Sequence, residues 1–112
     1  MSARFTRNLM ASYVEENPMD VNGMKILLTQ RASRSAVIGQ AILDAMVRAH
    51  SDGYPNPTTG YTGWGSTITC INNLDGTFTI GFHSDAAYVT CTMEENDYSE
   101  IMASILGNLK ED

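Results

Sequence analysis

The sequence has no long hydrophobic run, and charged residues are sparse in it. None of its apolar stretches approaches the roughly 18 residues that a membrane-spanning helix needs, so we expect no membrane span. The first residues include two arginines with no apolar segment behind them, so no secretory signal peptide is expected. Charged residues make up 18% and hydrophobic residues 43% of the 112 positions, a balance typical of a globular protein rather than a disordered tail. We therefore predict one soluble, cytoplasmic domain over residues 1–112.

Basic residues are nearly absent from the second half of the chain. Residues 51–112 carry one basic and nine acidic residues, a net charge of −8, whereas residues 1–50 carry six and four, a net charge of +2. Solubility alone explains such a charge, and a partner protein with a basic surface is the sharper interpretation. Residues 29–37 resemble the turn before a DNA-recognition helix, but the helix that follows has few side chains to read bases. An acidic chain also repels phosphates at long range, so DNA is not an expected partner.

The strongest helical pattern covers residues 34–51. Ser33 is the predicted cap of this helix, and its apolar face is unusually wide, running from Val37 to Ala49. So little polar surface predicts a central helix that is buried on most sides or that packs against another subunit of a homo-oligomer.

Two further segments, residues 3–16 and 98–109, also place apolar side chains at helical spacing. Asp97 is the predicted cap of the second of these helices. Residues 19–32 fit two structures, because a short apolar run does not separate a helix from a buried strand. We take the helix, with Asn22 as its cap.

Residues 66–93 alternate between apolar and polar side chains, as strands of a half-buried sheet do. The Asp75-Gly76 pair predicts a two-residue type I′ turn between the first two of three strands. The predicted buried face of the middle strand consists of Phe78, Ile80 and Phe82. The fold class is therefore α+β: N-terminal helices, a three-stranded antiparallel β-meander, and a C-terminal helix packed on one face of the sheet.

The two cysteines are expected to stay reduced. Cys70 and Cys91 fall on the two outer strands of the predicted meander, about 9.6 Å apart, which is too far for a disulfide. Pairing across the predicted turn places Cys70 and His83 on the outer face and Cys91 on the inner face. The three residues therefore do not form a metal site, and we predict neither a metal nor another cofactor. Two free thiols suit a reducing cytoplasm.

Residues 53–65 contain four glycines and two prolines and predict a long loop. Loops of this length are often functional. Tyr54, Tyr61 and Trp64 would give it flat aromatic surfaces with polar tips, which suit a protein interface or stacking on a base. The bland alternative is that Trp64 packs beneath the loop as part of the core.

Three arginines flank the predicted central helix: Arg31, Arg34 and Arg48. Arginines beside the start of a helix are suited to hold a phosphate or carboxylate. Together with the aromatic loop they predict a site for a small nucleotide-like anion. The alternative is that all three are solvated surface residues.

We find no pattern that favours catalysis, since nothing places a nucleophile beside His50 or His83. The preferred hypothesis is a non-catalytic, acidic binding protein that blocks or sequesters a partner protein. In size and charge, though in no motif, the chain is similar to compact acidic inhibitors such as toxin-immunity and phage anti-defence proteins. The predicted partner contacts are Trp64 and the acidic residues Glu94, Glu95 and Asp97. Sequestration of a small nucleotide-like ligand is the alternative, and a structural subunit of a larger assembly is a weaker one.

Overall fold

The computed structural model describes residues 16–52 and 57–111, which form three helices and a five-stranded mixed sheet. The elements are β1 (Glu16–Pro18), α1 (Val21–Ala32), α2 (Ala36–Asp52), β2 (Thr58–Gly63), β3 (Ser66–Asn72), β4 (Thr77–His83), β5 (Tyr88–Glu94) and α3 (Glu95–Glu111). The strand order is β1-β5-β4-β3-β2; β1 runs parallel to β5, and all other pairs are antiparallel. The α+β class is confirmed. The helix predicted over residues 3–16 lies outside the described residues except at Glu16, which belongs to β1.

The sheet has five strands, so the prediction of a three-stranded meander was wrong in the number of strands. The predicted strands of residues 66–93 are present as β3, β4 and β5. Part of the predicted loop, Thr58–Gly63, is instead strand β2, in which Thr58 and Thr62 are buried while Thr59 and Tyr61 are exposed. This strand was not predicted because the glycines of the segment favour a loop. The other addition, β1, is a three-residue edge strand, a position where a proline such as Pro18 costs no ladder hydrogen bond.

The turn between β3 and β4 differs from the predicted two-residue turn. Four residues, 73–76, connect the strands, because the Asn72 side chain accepts from the Leu74 N–H (2.9 Å) and the Asp75 side chain accepts from the Thr77 N–H (3.0 Å). The register therefore shifts by one residue, and Cys70 pairs with Ile80. A one-residue shift moves a whole strand face to the other side of the sheet.

The prediction that Cys70 lies on the outer face is consequently wrong. Cys70 and Cys91 both lie on the inner face, on either side of Ile80, where both are buried and free. His83 is exposed on the outer face, as predicted.

The three helices cover the inner face of the sheet and bury the predicted residues Phe78, Ile80 and Phe82. Tyr98 of α3 is fully buried in this core. Its ring stacks on Phe78 at 4.2 Å between centroids, and its hydroxyl donates to the carbonyl of Met46 on α2 at 2.6 Å. The outer face carries threonines, of which Thr79 and Thr92 are hydrogen-bonded across β4 and β5 at 2.8 Å. No helix within the described ranges has the length and apolarity needed to cross a membrane.

The helices begin at residues other than the predicted caps. The α1 helix follows Asp20, whose carboxylate accepts from the Gly23 N–H at 2.8 Å, and Asn22 lies inside the helix. The α2 helix follows Ser35, whose hydroxyl accepts from the Ile38 N–H at 3.1 Å.

Ser33 ends α1 instead of starting α2. Asp97 lies in the first turn of α3, since β5 continues directly into that helix. The Glu95 N–H, where α3 begins, donates to the carbonyl of Gly76 at 3.1 Å.

Candidate functional site

Trp64 occupies the tip of the turn between β2 and β3. Gly63 pairs with Ser66, which leaves Trp64 and Gly65 as a two-residue turn, with φ angles of 49° and 78°. Two consecutive positive φ angles are the signature of a type I′ turn, which favours Asn-Gly. A bulky residue is rarely held in this region, at a cost of about 1–3 kcal/mol. The side chain is nevertheless 71% exposed, so burial of the indole does not offset that cost.

Arg34 contacts the exposed ring. Its guanidinium carbon lies 5.1 Å from the centroid of Trp64, within the range of a cation–π interaction. Arg34 belongs to the link between α1 and α2, and Val37, one turn later on α2, is 77% exposed. Tyr61 is 58% exposed, and its hydroxyl accepts a long hydrogen bond (3.4 Å) from the Gly65 N–H. We call this group of four residues (Arg34, Val37, Tyr61 and Trp64) the aromatic end.

Two expectations about this region are corrected, and a third concerns a residue that the structure does not describe. Val37 was predicted to belong to the apolar core face of the helix, but it is exposed to solvent. The core face of α2 contains Ile38 and Ile42, which are buried in the hydrophobic core, and Val37 lies outside that face. The alternative interpretation, in which Trp64 packs beneath the loop as part of the core, is wrong because the side chain is exposed. Tyr54 lies outside the described residues.

The three predicted anion-binding arginines do not converge. Arg31 places its guanidinium 5.2 Å from the ring centroid of Phe82. Arg48 donates to the main-chain carbonyl of Thr59 at 2.9 Å. Because β2 is an edge strand, this hydrogen bond covers a backbone acceptor that an edge would otherwise expose. Of the three, Arg34 is the one that meets the predicted aromatic residues.

The predicted acidic contacts lie at the other end of the sheet. Glu94 ends β5 opposite Thr77, and Glu95 and Asp97 occupy the first turn of α3. Carboxylates at this position stabilise the helix through its dipole. Seven residues of β3 separate this region from the turn that carries Trp64, about 23 Å at 3.3 Å per residue. The predicted site residues therefore form two groups rather than one.

The turn beside these carboxylates carries an exposed apolar residue, Leu74, which is 55% exposed and has a φ of 62°. Asp75 follows it, and hydrogen bonds from the hydroxyl and N–H of Thr77 lower the pKa of its carboxyl. We call this second group the acidic end. It consists of Leu74, Asp75, Glu94, Glu95 and Asp97.

His50 links α2 to the acidic end. Its Nε2 lies 2.8 Å from the Glu95 carboxylate, and its ring stacks on Phe78 and Tyr98 with centroids 5.5 and 6.3 Å away. The other histidine, His83, packs edge-on against Tyr88 at 5.7 Å. Over residues 16–52 and 57–111, no three His, Cys, Asp or Glu side chains are grouped closely enough to hold a metal ion.

The surface formed by residues 16–52 and 57–111 includes two open concave regions. One, of about 490 Å³, follows α2 and is lined by Ala36, Val37, Gln40, Ala41 and Asp44. The other, of about 300 Å³, lies on the outer face of the sheet and is lined by Thr67, Thr69, His83 and Tyr88. The region along α2 shares one residue, Val37, with the aromatic end.

Sequence reasoning selected Trp64, Tyr61 and Arg34, but it did not foresee that Arg34 and Trp64 are in contact or that Val37 and Leu74 are exposed. A signal for the turn was present, since Gly63 and Gly65 on either side of Trp64 adopt positive φ angles at no steric cost. No known protein family model, curated protein or solved structure matches the chain.

Proposed function

We propose that this chain is a non-catalytic binding protein that recognises a partner protein through its aromatic end and blocks or sequesters it. The single observation that carries the proposal is Trp64, which is held at a φ of 49° on a hairpin tip and is 71% exposed. Backbone strain that no burial offsets is characteristic of residues retained for function.

The composition of the aromatic end supports a protein partner. Tryptophan, tyrosine and arginine are the residues most enriched among those that dominate binding energy at protein interfaces. A two-residue turn and the guanidinium of Arg34 restrict the indole of Trp64 before binding. Restriction of this kind lowers the entropy that binding must remove. Loss of such an anchor typically costs about 2 kcal/mol or more, which is about 30-fold in Kd.

The arrangement of the arginines favours a protein over a small nucleotide-like anion. A nucleotide site needs a free aromatic face and cations that converge on the phosphate. Arg34 occupies one face of Trp64, while Arg31 and Arg48 are directed to Phe82 and to the Thr59 carbonyl. Neither concave region described above is lined by Trp64.

The substitution Trp64→Asn separates binding from folding. Asparagine at the first position of a type I′ turn followed by glycine is the preferred sequence, so the variant keeps the hairpin and relieves its strain. We expect its free energy of unfolding to equal or exceed that of the unsubstituted chain. We expect it to lose the proteins that the unsubstituted chain retains from an extract of the source cells, quantified by mass spectrometry.

Two control variants define the result. Leu106→Ala removes another exposed apolar side chain, on α3, and should retain the same proteins. Trp64→Phe keeps an aromatic ring and should bind more weakly without losing them. Equal capture by the unsubstituted chain and by Trp64→Asn would exclude the aromatic end as the recognition surface.

A second readout uses the fact that Trp64 is the single tryptophan of the chain. Its fluorescence reports directly on the proposed site. Addition of a captured partner should shift the emission to shorter wavelength and protect the indole from quenching by acrylamide. A thermal-shift screen with mono-, di- and cyclic nucleotides tests the small-ligand hypothesis, since a ligand at 100 times its Kd adds about 2.7 kcal/mol of stability.

A further inference from the structure

We propose that the solvent-facing side of α2 is an interface between two copies of this chain, in which the two α2 helices pack antiparallel about a two-fold axis. The inference goes beyond the proposed function, because its contacts lie on α2 and not on the hairpin that carries Trp64; Val37 alone belongs to both surfaces. Three observations support it: the spacing of the exposed residues, their order along the helix, and the concave region beside them.

The exposed side of α2 has the spacing of a seam between two helices. Its side chains repeat at alternating steps of three and four residues, at positions 37, 40, 44, 47 and 51, and all five are exposed. Two helices that pack along each other use this seven-residue pattern. The opposite side of α2, with Ile38, Ile42 and Ala49, is buried against the sheet and the other helices. The helix therefore has one face in the core of its own chain and a second regular face that is exposed within residues 16–52 and 57–111.

The order of the residues on this exposed face selects a second copy as the partner. Val37 and Val47 are both exposed, and Gln40 and Asp44 lie between them. The two pairs share one midpoint, position 42. An antiparallel copy centred there places Val37 against Val47, and Gln40 against Asp44, with each contact made twice. Apolar thus meets apolar and an amide donor meets a carboxylate, in the isologous arrangement that most dimers use.

The polar pair in the middle of the seam fixes the direction of the second helix. Gln40 Nε2 donates to Asp44 Oδ1 of the same helix at 2.9 Å. Since an amide nitrogen carries two hydrogens and a carboxylate has two oxygens, the same side chains supply a further hydrogen bond to the facing copy. A parallel copy would instead place Asp44 against Asp44, charge against charge. Polar residues at seam positions specify the register of paired helices in this way.

The concave region of about 490 Å³ along α2 lies where the antiparallel copy would place its Val47. Val37, Gln40 and Ala41 line it, together with Ala36 and Asp44. A side chain of one helix that enters a hole between side chains of another is the contact by which paired helices interlock. Because a few residues of each copy form this contact, against about 20–30 in a standard interface, we expect a weak dimer that forms as concentration rises.

Charged substitutions of Gln40 test the pairing in the full chain. In the antiparallel pair, Gln40→Lys places an ammonium opposite Asp44 and should tighten the dimer, whereas Gln40→Glu places a carboxylate there and should weaken it. Two equivalent contacts change at once, so we expect Kd to change by about tenfold in each direction. Gln40 is exposed, and the three residue types have similar helix propensities, so the variants should stay folded, which circular dichroism checks. Sedimentation equilibrium up to about 1 mM chain measures Kd.

Three further variants define the contact. The double variant Gln40→Glu, Asp44→Lys again places opposite charges against each other and should restore the dimer that Gln40→Glu loses. Val47→Ser removes an apolar contact at both ends of the seam and should weaken the dimer by about tenfold. Leu106→Ala, which removes an exposed apolar side chain of α3, should dimerise as the unsubstituted chain does.

An unsubstituted chain that stays monomeric up to about 1 mM would overturn the inference. Weaker association of both Gln40→Lys and Gln40→Glu would also overturn it, as would a Kd that Val47→Ser leaves unchanged. Dimers that disappear in Trp64→Asn but persist in Val47→Ser would place the contact on the aromatic end instead. Failure of the proposed function is separate, because capture of a partner protein depends on Trp64 and should be the same for Gln40→Glu as for the unsubstituted chain.

Discussion

The hydroxyl of Thr58 donates a hydrogen bond of 2.5 Å to the main-chain carbonyl of Ala45. This bond joins the edge strand β2 to α2, the helix that packs over it. Four residues further along the same strand, Thr62 is also fully buried, but its hydroxyl has no hydrogen-bond partner within the described part of the chain. Both threonines are buried, but only the hydroxyl of Thr58 is hydrogen-bonded.

The substitution of each threonine by valine, which has the same shape, should therefore act with opposite sign. Thr58→Val removes a satisfied hydrogen bond and should lower the free energy of unfolding by about 1 kcal/mol. Thr62→Val removes a buried, unsatisfied hydroxyl and should raise it by about 1 kcal/mol. Urea unfolding followed by far-UV circular dichroism measures both. A loss of stability in Thr62→Val would show that its hydroxyl has a partner.

Gly60 and Gly107 predict a second pair of opposite effects. A Cβ at position 60 would lie 2.5 Å from the carbonyl oxygen of Ala41, a backbone atom that cannot move aside, whereas a Cβ at position 107 meets no atom within 4 Å. Gly60→Ala should destabilise the protein by about 1–3 kcal/mol through this overlap. Gly107→Ala, within α3, should stabilise it by about 0.5–1 kcal/mol through helix propensity. Urea midpoints that move in the same direction for both variants would contradict this account of the α2–β2 contact.

Local patterns explain why part of the fold was predictable. The apolar spacing of residues 34–51 and the alternation through Phe78, Ile80 and Phe82 are strong signals, and α2 and β4 follow them. Strand β2 was missed because its glycine at position 60 is required by a carbonyl of α2, a contact made only in the folded chain. The register of β3 was missed because Asn72 and Asp75 lengthen the turn with side-chain hydrogen bonds.

The candidate site was predictable residue by residue but not as an arrangement. Glycines around Trp64 favour a turn, and the exposed indole agrees with a tip. The contact of Trp64 with Arg34 joins segments thirty residues apart, and no local pattern encodes that distance. The separation of Trp64 from Glu94, Glu95 and Asp97 likewise depends on which end of the sheet each turn reaches, which requires the strand order.

The ion pair between Lys25 and Glu100 predicts a pH dependence of stability. Lys25 Nζ lies 2.7 Å from Glu100 Oε1 and joins α1 to α3, and this hydrogen bond and charge lower the pKa of the Glu100 carboxyl. A carboxyl with a lower pKa in the folded state stabilises the fold above the unfolded pKa, about 4.3. That contribution is lost as the pH falls through the folded value. Glu100→Gln should therefore make the decline in urea midpoint between pH 7 and pH 3 less steep. The change is small because the pair is solvent-exposed, and an unchanged slope would mean that the pair does not contribute.

The buried thiols predict a strong protection against alkylation and disulfide reagents. Burial, partly offset by a hydrogen bond with Tyr98 and the charge of Arg48, raises the pKa of Cys70 to about 12, so the unreactive thiol form predominates at pH 8. Burial, followed by the charges of Asp20 and Asp97, also raises the pKa of Cys91.

We expect the native protein to react slowly with dithionitrobenzoate and the urea-unfolded protein to release two equivalents at once. The variants Cys91→Ala and Cys70→Ala isolate each thiol, and Cys70 should be the slower, since it is fully buried whereas Cys91 retains 5% exposure. Rapid reaction of Cys70 in the native state would place it on the outer face of the sheet, and the β3–β4 register described above would then be wrong by one residue.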